Sequence, residues 1–282
     1  MLKIYHDPLE DGYNLLDFVT QSLSYRYASV ADCDFILHNR VVWGLEKKEI
    51  SVCLQEIGGY YSGNQQVLVF LVADYEGRLQ VPENVILFRT SMCKSNKGPR
   101  EWPLPYIWSS YANAFEKITD ASVPSIGFCG LMSKPRRKLI SVFQKSREVN
   151  ADFLLRTKFW AGSPHNEKVI QEFDENIQSN IYTLTPRGKG NFSMRFYQVL
   201  SAGRIPVLLN TDMELPFGDQ IPWDKTVVIG QTEKECLELV METFCSGRYL
   251  SLQDECRAIF EDYFSPKCYF DKVSISLKER YL

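Results

Sequence analysis

The segment from Arg187 to Arg195 places basic side chains and two glycines directly before a predicted helix. Gly188 and Gly190 carry no side chain, so their backbone N–H groups can approach an anion closely, while Arg187 and Lys189 add positive charge. The positive end of the helix dipole would point toward the same place. The segment therefore predicts a phosphate or diphosphate site, although the same residue types also occur in ordinary solvated turns.

Four polar residues in and after this loop complete the predicted site. Asn191 belongs to the loop, and Ser193 can cap the helix that follows. Arg195 falls in the first turn, where its guanidinium could bind two phosphate oxygens, and Gln198 lies one turn further, where it could hydrogen-bond a ribose hydroxyl or a base edge. The glycine spacing matches neither GxxxxGK[ST] nor a GxGxxG after the first strand, which disfavours a P-loop and a nicotinamide site.

Other basic residues have different predicted roles, which depend on where they lie in the predicted strands and helices. Arg156 and Lys158 follow a predicted strand, at an end where the residues of a cleft collect, so they are further candidates for binding the anion. Arg136, Arg137 and Lys138 lie early in a predicted helix, and we expect them on its solvent face.

Buried apolar runs alternate with amphipathic stretches along the chain and predict the elements that position these residues. Val67–Val72 suits a strand that helices cover on both faces, and from about residue 125 strands and helices alternate regularly. This alternation is typical of doubly wound parallel sheets. It predicts two α/β domains over residues 1–120 and 121–264, with a final helix in residues 265–282 that docks back on them.

Composition limits the kinds of partner and compartment. A net charge of -3 argues against a nucleic-acid binder that relies on bulk positive charge. The chain start lacks the pattern of a signal peptide, and no run of 18 apolar residues occurs, so we expect a protein that is neither secreted nor membrane-spanning. The 8 cysteines form no CxxC pair and the 3 histidines have no metal-ligand spacing. We therefore expect reduced thiols, a cytoplasmic location and no bound metal.

The segment Ser193–Val228 resembles the signature of the exostosin-like glycosyltransferases. That signature reads approximately Ser-x-Arg-x-x-Glu-x-x-x-x-Gly-x-Ile-Pro-Val, followed by Leu-Pro-Phe and then Ile-x-Trp. The matching positions are Ser193, Arg195, Gly203, Ile205, Pro206, Val207, Leu215, Pro216, Phe217, Ile221 and Trp223. Residues 125–140 resemble the start of the family's second domain, so the resemblance extends over about residues 125–244 and reaches the first 110 residues only as architecture.

The resemblance implies a GT-B fold, in which two Rossmann-like, doubly wound domains face each other across a cleft. The second domain would hold a nucleotide sugar and the first an acceptor, whose hydroxyl displaces the nucleoside diphosphate with inversion at the anomeric carbon. Such enzymes usually stabilise the leaving diphosphate with basic side chains and a helix N-terminus, so neither a metal nor another cofactor is expected. The family's Glu is Gln198 here, which replaces a charged contact to the ribose by a neutral one.

An inverting transfer needs a general base, normally a carboxylate or histidine from the first domain. Asp74 and Glu76 follow a buried strand at the end that would open into the cleft. Asp7, next to His6, occupies the corresponding place after the first strand. Asp74 could instead cap a turn with Gly77, and spacing does not choose among these carboxylates.

The segment 89–108 is long, irregular and contains several prolines. Loops of this kind in α/β domains often line a site. Its aromatic residues Trp102, Tyr106 and Trp108 could stack on a sugar face or could pack the loop against the protein.

These observations together predict a cytoplasmic glycosyltransferase of a microbe or virus. It would move a sugar from a UDP donor such as UDP-xylose, UDP-galactose or UDP-glucuronate to a hydroxyl of a glycan acceptor, with no nucleic-acid or membrane partner. Two alternatives stay open: a non-catalytic nucleotide- or sugar-binding module of the same fold, and a transferase that takes a GDP-sugar, as fucosyltransferases do. A base that faces the donor pocket would favour catalysis over the binding module.

Overall fold

The computed structural model describes residues 1–6, 25–38, 41–43, 46–61, 63–107, 109–163 and 165–282. Asp7 and Trp108 lie outside these residues. Within them the chain forms two parallel β-sheets, with helices between consecutive strands of the second sheet and one α-helix among the strands of the first. The predicted α/β fold with two parallel sheets is confirmed.

The first sheet has the strand order β2-β1-β3-β5-β6-β7, with β4 also paired to β5, and all its pairs are parallel. Its strands are β1 (Leu2–His6), β2 (Tyr25–Tyr27), β3 (Phe35–Leu37), β4 (Val42–Trp43), β5 (Gln66–Val72), β6 (Val85–Arg89) and β7 (Glu101–Pro103). Helix α1 (Lys47–Tyr60) buries Ile50, Leu54 and Ile57, which recur at helical spacing. A capping box between Glu46 and Glu49 starts this helix.

The second sheet has the order β12-β11-β10-β8-β9, again entirely parallel. Its strands are β8 (Ser125–Leu131), β9 (Asn150–Arg156), β10 (Tyr182–Leu184), β11 (Ile205–Leu209) and β12 (Val228–Gly230). The chain runs outward from β8 to one edge through β9 and then to the other edge through β10, β11 and β12. The strand order therefore reverses between β8 and β10, and ligands of doubly wound sheets bind outside the carboxyl ends of the strands at such a point.

The helices of the second half are α2 (Arg137–Lys145), α3 (Glu167–Gln178), α4 (Met194–Ser201), α5 (Trp223–Thr226), α6 (Glu233–Cys245), α7 (Tyr249–Ile259) and α8 (Tyr269–Tyr281). Short 3-10 turns occupy Lys94–Asn96, Lys134–Arg136 and Phe159–Gly162, and a π-helical turn at Phe260–Phe264 follows α7. The longest described helix has 14 residues. Among the described residues, no helix has both the length and the apolar character that crossing a bilayer requires.

Helix α8 follows the second domain but packs on the first. The Tyr269 hydroxyl donates to the Pro103 carbonyl at 3.5 Å, Arg280 donates to the Pro99 carbonyl, and the Tyr281 ring meets Phe35 edge-on. One continuous apolar cluster accordingly includes buried residues of both sheets together with α8. The two domains therefore share a core at this side of the molecule.

Gly127 in β8 determines how closely α3 packs on the second sheet. A Cβ at this position would lie 2.9 Å from the Asn176 carbonyl oxygen, so the helix would have to move. We expect Gly127→Ala to lower the free energy of unfolding by about 1–3 kcal/mol in urea denaturation. Gly59→Ala is the control, because a Cβ there meets nothing within 4 Å and the change should be neutral or slightly stabilising. Equal denaturation midpoints would contradict this account of the packing.

Candidate functional site

Arg195 lies at the point where the strand order of the second sheet reverses. It sits in the first turn of α4, and its Nη2 atom donates to the Cys129 carbonyl at 2.5 Å, near the carboxyl end of β8. A Cβ on Gly130 would lie only 2.6 Å from Nη2, so a glycine is needed for the guanidinium to reach this place. The side chain is 9% exposed. The structure thus puts Arg195 where a ligand of this sheet type is expected.

Arg136 joins Arg195 there, contrary to the prediction that it faces solvent. Its Nε donates to the Arg187 carbonyl at 3.1 Å and its Nη1 to the Leu131 carbonyl at 3.0 Å. The 3-10 turn Lys134–Arg136 precedes α2 and turns this side chain back toward the strand end, which helical periodicity does not anticipate. Arg136 therefore ties the end of β8 to the loop of residues 187–192, which was predicted to bind an anion and is called the anion loop below.

The neighbouring Arg137 and Lys138 are exposed, as predicted. Lys138 forms an ion pair with Glu233 at 2.8 Å, at the start of α6. Neither residue takes part in the Arg195 site among the contacts of the described chain.

Arg195 is buried and Arg136 is half-buried, and neither guanidinium pairs with a carboxylate among the described residues. Burial, and then the charge of Arg136, lower the pKa of Arg195 to about 9, and burial lowers the pKa of Arg136. Arg195 Nε has no hydrogen-bond partner in the described structure. Phe128 and Phe173 lie 4.5 and 5.5 Å from the Arg195 guanidinium carbon and offset part of the desolvation. An anion at this point would stabilise both cations.

The other residues that were predicted to bind the donor have different surroundings. Arg156 forms an ion pair with Glu172, and it also lies beside the Cys129 thiol. Lys158 is exposed, and no contact joins it to Arg195 among the described residues. Gln198 is buried on α4, one turn after Arg195. Their roles in binding stay predictions.

The predicted anion loop makes contact with the first domain. The Gly190 N–H donates to Asp74 Oδ1 at 3.1 Å, and Arg187 forms an ion pair with Glu76. A Cβ on Gly190 would lie 2.8 Å from the Asp74 Cα, so the close approach of the two domains requires a glycine here. Asp74 and Glu76 thus lie on the first-domain side, opposite this loop. Among the described hydrogen bonds, the Asp74 carboxylate accepts from the Gly190 N–H across the boundary and from no residue of its own turn.

Residues of the anion loop that were predicted to bind a ligand make hydrogen bonds within the loop itself. The Gly188 N–H donates to the Phe192 carbonyl at 3.0 Å, and Lys189 is exposed while its carbonyl accepts from Arg187 Nη2. Ser193 occupies the N-cap position of α4, but its side chain makes no capping hydrogen bond. The predicted cap bond is therefore wrong in its side-chain part.

Asn191 joins parts of the protein to one another, and its role in ligand binding stays a prediction. It is fully buried, and its N–H donates to Ser91 Oγ at 2.8 Å. Its Nδ2 donates to the Thr211 carbonyl at 2.9 Å and lies 3.2 Å from Cys93 Sγ, while its Oδ1 accepts from Thr211 Oγ1 at 2.7 Å. The side chain is fully occupied in joining the loops after β6 and β11.

Arg89 is a further positioning residue that the sequence pattern did not single out. It pairs with Glu101 at 2.6 Å, and both side chains are buried. It also donates to the carbonyls of Ser91 at 2.7 Å and Gly77 at 3.0 Å, so it ties the loop after β5, which contains Asp74, to the loop after β6. The sequence does contain a signal for this role, because β6 is an apolar run that ends in an arginine, and a buried charge needs a partner.

The aromatic residues of segment 89–108 pack against the protein where they are described. The Tyr106 ring stacks on Phe192 at a centroid distance of 6.3 Å, and the Trp102 ring lies 5.8 Å from Phe88. The side chain of His6, like Asp7 and Trp108, falls outside what the structure describes. No group of histidine, cysteine and acidic side chains suited to a metal ion occurs in the described part of the chain.

Comparison with known proteins gives one family. The family model of the Exostosin GT47 domain matches residues 86–241, more than half of the chain. Exostosin-1c of Danio rerio is 34% identical over 119 residues, and Exostosin-1 of Mus musculus is 31% identical over 96 residues. These regions make up 41% and 33% of this chain, but the chain covers only 16% and 13% of the two relatives. Asp74 and Glu76 precede the matched region.

Among solved structures, the S. aureus MnaA–UDP co-structure aligns with 85% of this chain and 71% of its own. The TM-score is 0.35 and the sequence identity is 12%.

The Arg187–Glu76 ion pair should protect the anion loop from proteolysis. Glu76→Gln removes the charge that holds Arg187, so we expect trypsin to cleave after Arg187 and Lys189 several times faster than in the wild type. Mass spectrometry of limited digests measures both sites. Glu214→Gln is the matched control, because it breaks the ion pair that Lys97 makes between the same two domains away from the loop. Equal acceleration in both variants would mean that the domains loosen as a whole.

Proposed function

Because the chain belongs to the exostosin GT47 family, we propose that it is an inverting, metal-independent glycosyltransferase. It would transfer a sugar from a UDP donor of the UDP-xylose, UDP-galactose or UDP-glucuronate type to a hydroxyl of a glycan acceptor. The observation that carries this proposal is the pair of the buried Arg195 and the half-buried Arg136, two cations without a carboxylate partner among the described residues. A nucleoside diphosphate supplies the negative charge that such a pair lacks.

In the proposed reaction the two arginines bind the diphosphate and stabilise the charge that grows on it as the bond to the sugar breaks. The first turn of α4 begins beside them, so its N–H groups and dipole favour the same anion. Arg187 and the Gly190 N–H would join this set once phosphate oxygens replace the carboxylates of Asp74 and Glu76. The acceptor hydroxyl would then attack the anomeric carbon from the first-domain side of the cleft.

The general base of the proposed transfer is a carboxylate of the first domain. Asp74 is the leading candidate, since it already faces the anion loop across the cleft at the Gly190 N–H. Glu76 faces the same loop through Arg187, and Asp7 is the rival from the end of β1. A released Asp74 carboxylate could accept the proton of an acceptor hydroxyl.

A cytoplasmic location is part of the same proposal. All 8 cysteines are free thiols, and Cys129, Cys236 and Cys256 are buried. Free thiols in this number support a reducing compartment.

Arg195→Met tests the donor site, because methionine keeps much of the side-chain length and removes the charge. We expect UDP affinity, measured by calorimetry, to fall about 10- to 100-fold, the loss that follows from removing a charged hydrogen-bond donor. The unliganded variant should be as stable to urea as the wild type or more stable, because a buried cation without a carboxylate partner is lost.

Arg147→Met is the matched control, since Arg147 is exposed in the same domain. It should leave UDP affinity unchanged. A destabilised Arg195→Met variant that binds UDP as the wild type does would show a purely structural arginine and would contradict the proposal. Stronger binding of GDP than of UDP to the wild type would favour the GDP-sugar alternative.

Asp74→Asn tests the base. We expect kcat for transfer to fall by about 10²- to 10⁴-fold while UDP affinity changes little, because the amide can still accept the Gly190 N–H but cannot take a proton. Asp7→Asn and Glu76→Gln, assayed in parallel, identify the base if Asp74→Asn keeps its rate. The assay measures UDP release with a range of sugar donors and oligosaccharide acceptors.

Gln198, which replaces the family's Glu, favours the second candidate, a binding module without activity. A wild type that binds UDP through Arg195 but releases none from any UDP-sugar, with or without acceptors, would support that candidate over the transferase. Gln198→Glu then asks whether the charged residue restores turnover.

A further inference from the structure

Phe128 in β8 lies against both arginines of the candidate donor site. Its ring centroid is 4.5 Å from the guanidinium carbon of Arg195 and 5.9 Å from that of Arg136. The side chain is fully buried in the middle of the strand, where close packing fixes its position. The face of an aromatic ring attracts a cation, so one neutral side chain interacts with two groups that repel each other.

The space beside this ring depends on a glycine. Gly130 follows Phe128 by two residues and therefore lies on the same face of β8. A Cβ at Gly130 would lie 2.6 Å from Arg195 Nη2 and 3.7 Å from Phe128 Cζ. A Cβ at Gly188 of the anion loop would lie 3.7 Å from Arg136 Nη2. The ring thus contacts Arg195 at the carboxyl end of β8, while Arg136 reaches from the same ring to the anion loop.

The other buried arginines of the described chain are held in a different way. Arg89 pairs with the Glu101 carboxylate at 2.6 Å, and Arg204 donates to three backbone carbonyls. Arg195 donates to one carbonyl, that of Cys129, and lies over two aromatic rings. Its charge is therefore supported by neutral groups and is not cancelled by a carboxylate within the described chain.

A ring and a carboxylate differ in what they leave for a ligand. A carboxylate neutralises the guanidinium, so an incoming diphosphate would have to displace it. A ring contacts the flat face of the guanidinium and leaves N–H groups at its edge for phosphate oxygens. Arg195 remains 9% exposed, so part of it can meet a ligand. A cation that is already in place also loses little freedom when the anion binds, which favours affinity.

We propose that Phe128 is a positioning residue of the donor site, whose ring holds Arg195 and Arg136 near each other with their charges available to the diphosphate. The proposal rests on the proposed function, because a bound diphosphate is what gives the two arginines a common ligand. Phe128 does not contact the donor itself, since its side chain has no exposed surface. Without the ring, the two cations would move apart, and the diphosphate would meet fewer of their N–H groups.

Phe128→Leu tests the ring, because leucine keeps an apolar side chain in β8 and removes the aromatic face. Phe143→Leu is the matched control: Phe143 is also fully buried in the second domain, and no guanidinium lies over its ring among the contacts of the described chain. Both variants should lower the urea midpoint, since each loses core packing. Phe128→Met carries the same test if the leucine variant does not fold.

The affinities of the full chain for UDP and for inorganic pyrophosphate are measured by calorimetry. We expect Phe128→Leu to weaken both about 3- to 10-fold, the effect of losing a buried cation–π contact, and Phe143→Leu to change neither by more than about twofold. Combined with Arg195→Met, the Phe128→Leu change should cost about twofold or less, because the cation nearest the ring is gone. A general loosening of the core would cost the same with and without Arg195.

Three results would overturn the role of Phe128 and leave the proposed function standing: Phe128→Leu binds UDP as the wild type does, Phe143→Leu weakens UDP binding equally, or Phe128→Leu costs as much in the Arg195→Met background as in the wild type. A wild type that binds pyrophosphate but not UDP, with the Arg195-dependent loss in Phe128→Leu, would uphold the role of Phe128 and overturn the proposed UDP-sugar function. A wild type that binds neither probe would overturn both.

Discussion

The hydrogen bonds of Asn191 hold together the loops on which the candidate site depends. One buried side chain donates to the loop after β11 and approaches the loop after β6, and its backbone N–H donates to Ser91 in that second loop. Polar groups this deep are stable only when every partner is present, so the three loops can take only a narrow range of relative positions. The positions of Gly190 and Arg187 are restricted in the same way, because both residues lie in the loop that contains Asn191. From there they contact Asp74 and Glu76 across the domain boundary.

The electrostatics on the two sides of this boundary are unequal. On the side of the second domain, the buried Arg195 and the half-buried Arg136 have no carboxylate partner in the described chain, whereas Arg187 nearby pairs with Glu76. Carboxylates satisfy the exposed part of the anion loop but do not reach the buried part. A charged group in an apolar interior is more strongly affected by its neighbours than an exposed one, so we expect Arg195 and Arg136 to contribute more than Arg187 to the affinity for an anion.

Much of the fold could be predicted from local patterns. The apolar run Val67–Val72 was predicted to be a strand, because a strand that is covered on both faces is continuously apolar. It forms β5, Gln66–Val72. The glycines and basic residues of the anion loop were predicted to lie where a strand leads into a helix, and they lie between β10 and α4. Arg136 was misjudged because the turn that contains Pro135 precedes the helix and changes the direction of the side chain. The structural contacts of Asn191 could not be predicted, because its partners Ser91 and Thr211 lie far away in sequence and no local pattern carries that information.

Helix α8 has a mechanical consequence for the cleft. The chain crosses from the first domain to the second between β7 and β8, and α8 returns to the first domain, where its residues contact Pro99, Pro103 and Phe35. The domains are thus joined by the crossing and by α8, in addition to side-chain contacts such as Asp74–Gly190 and Lys97–Glu214. An opening of the cleft that admits a donor would break such side-chain contacts, while the crossing and α8 would keep the two domains together.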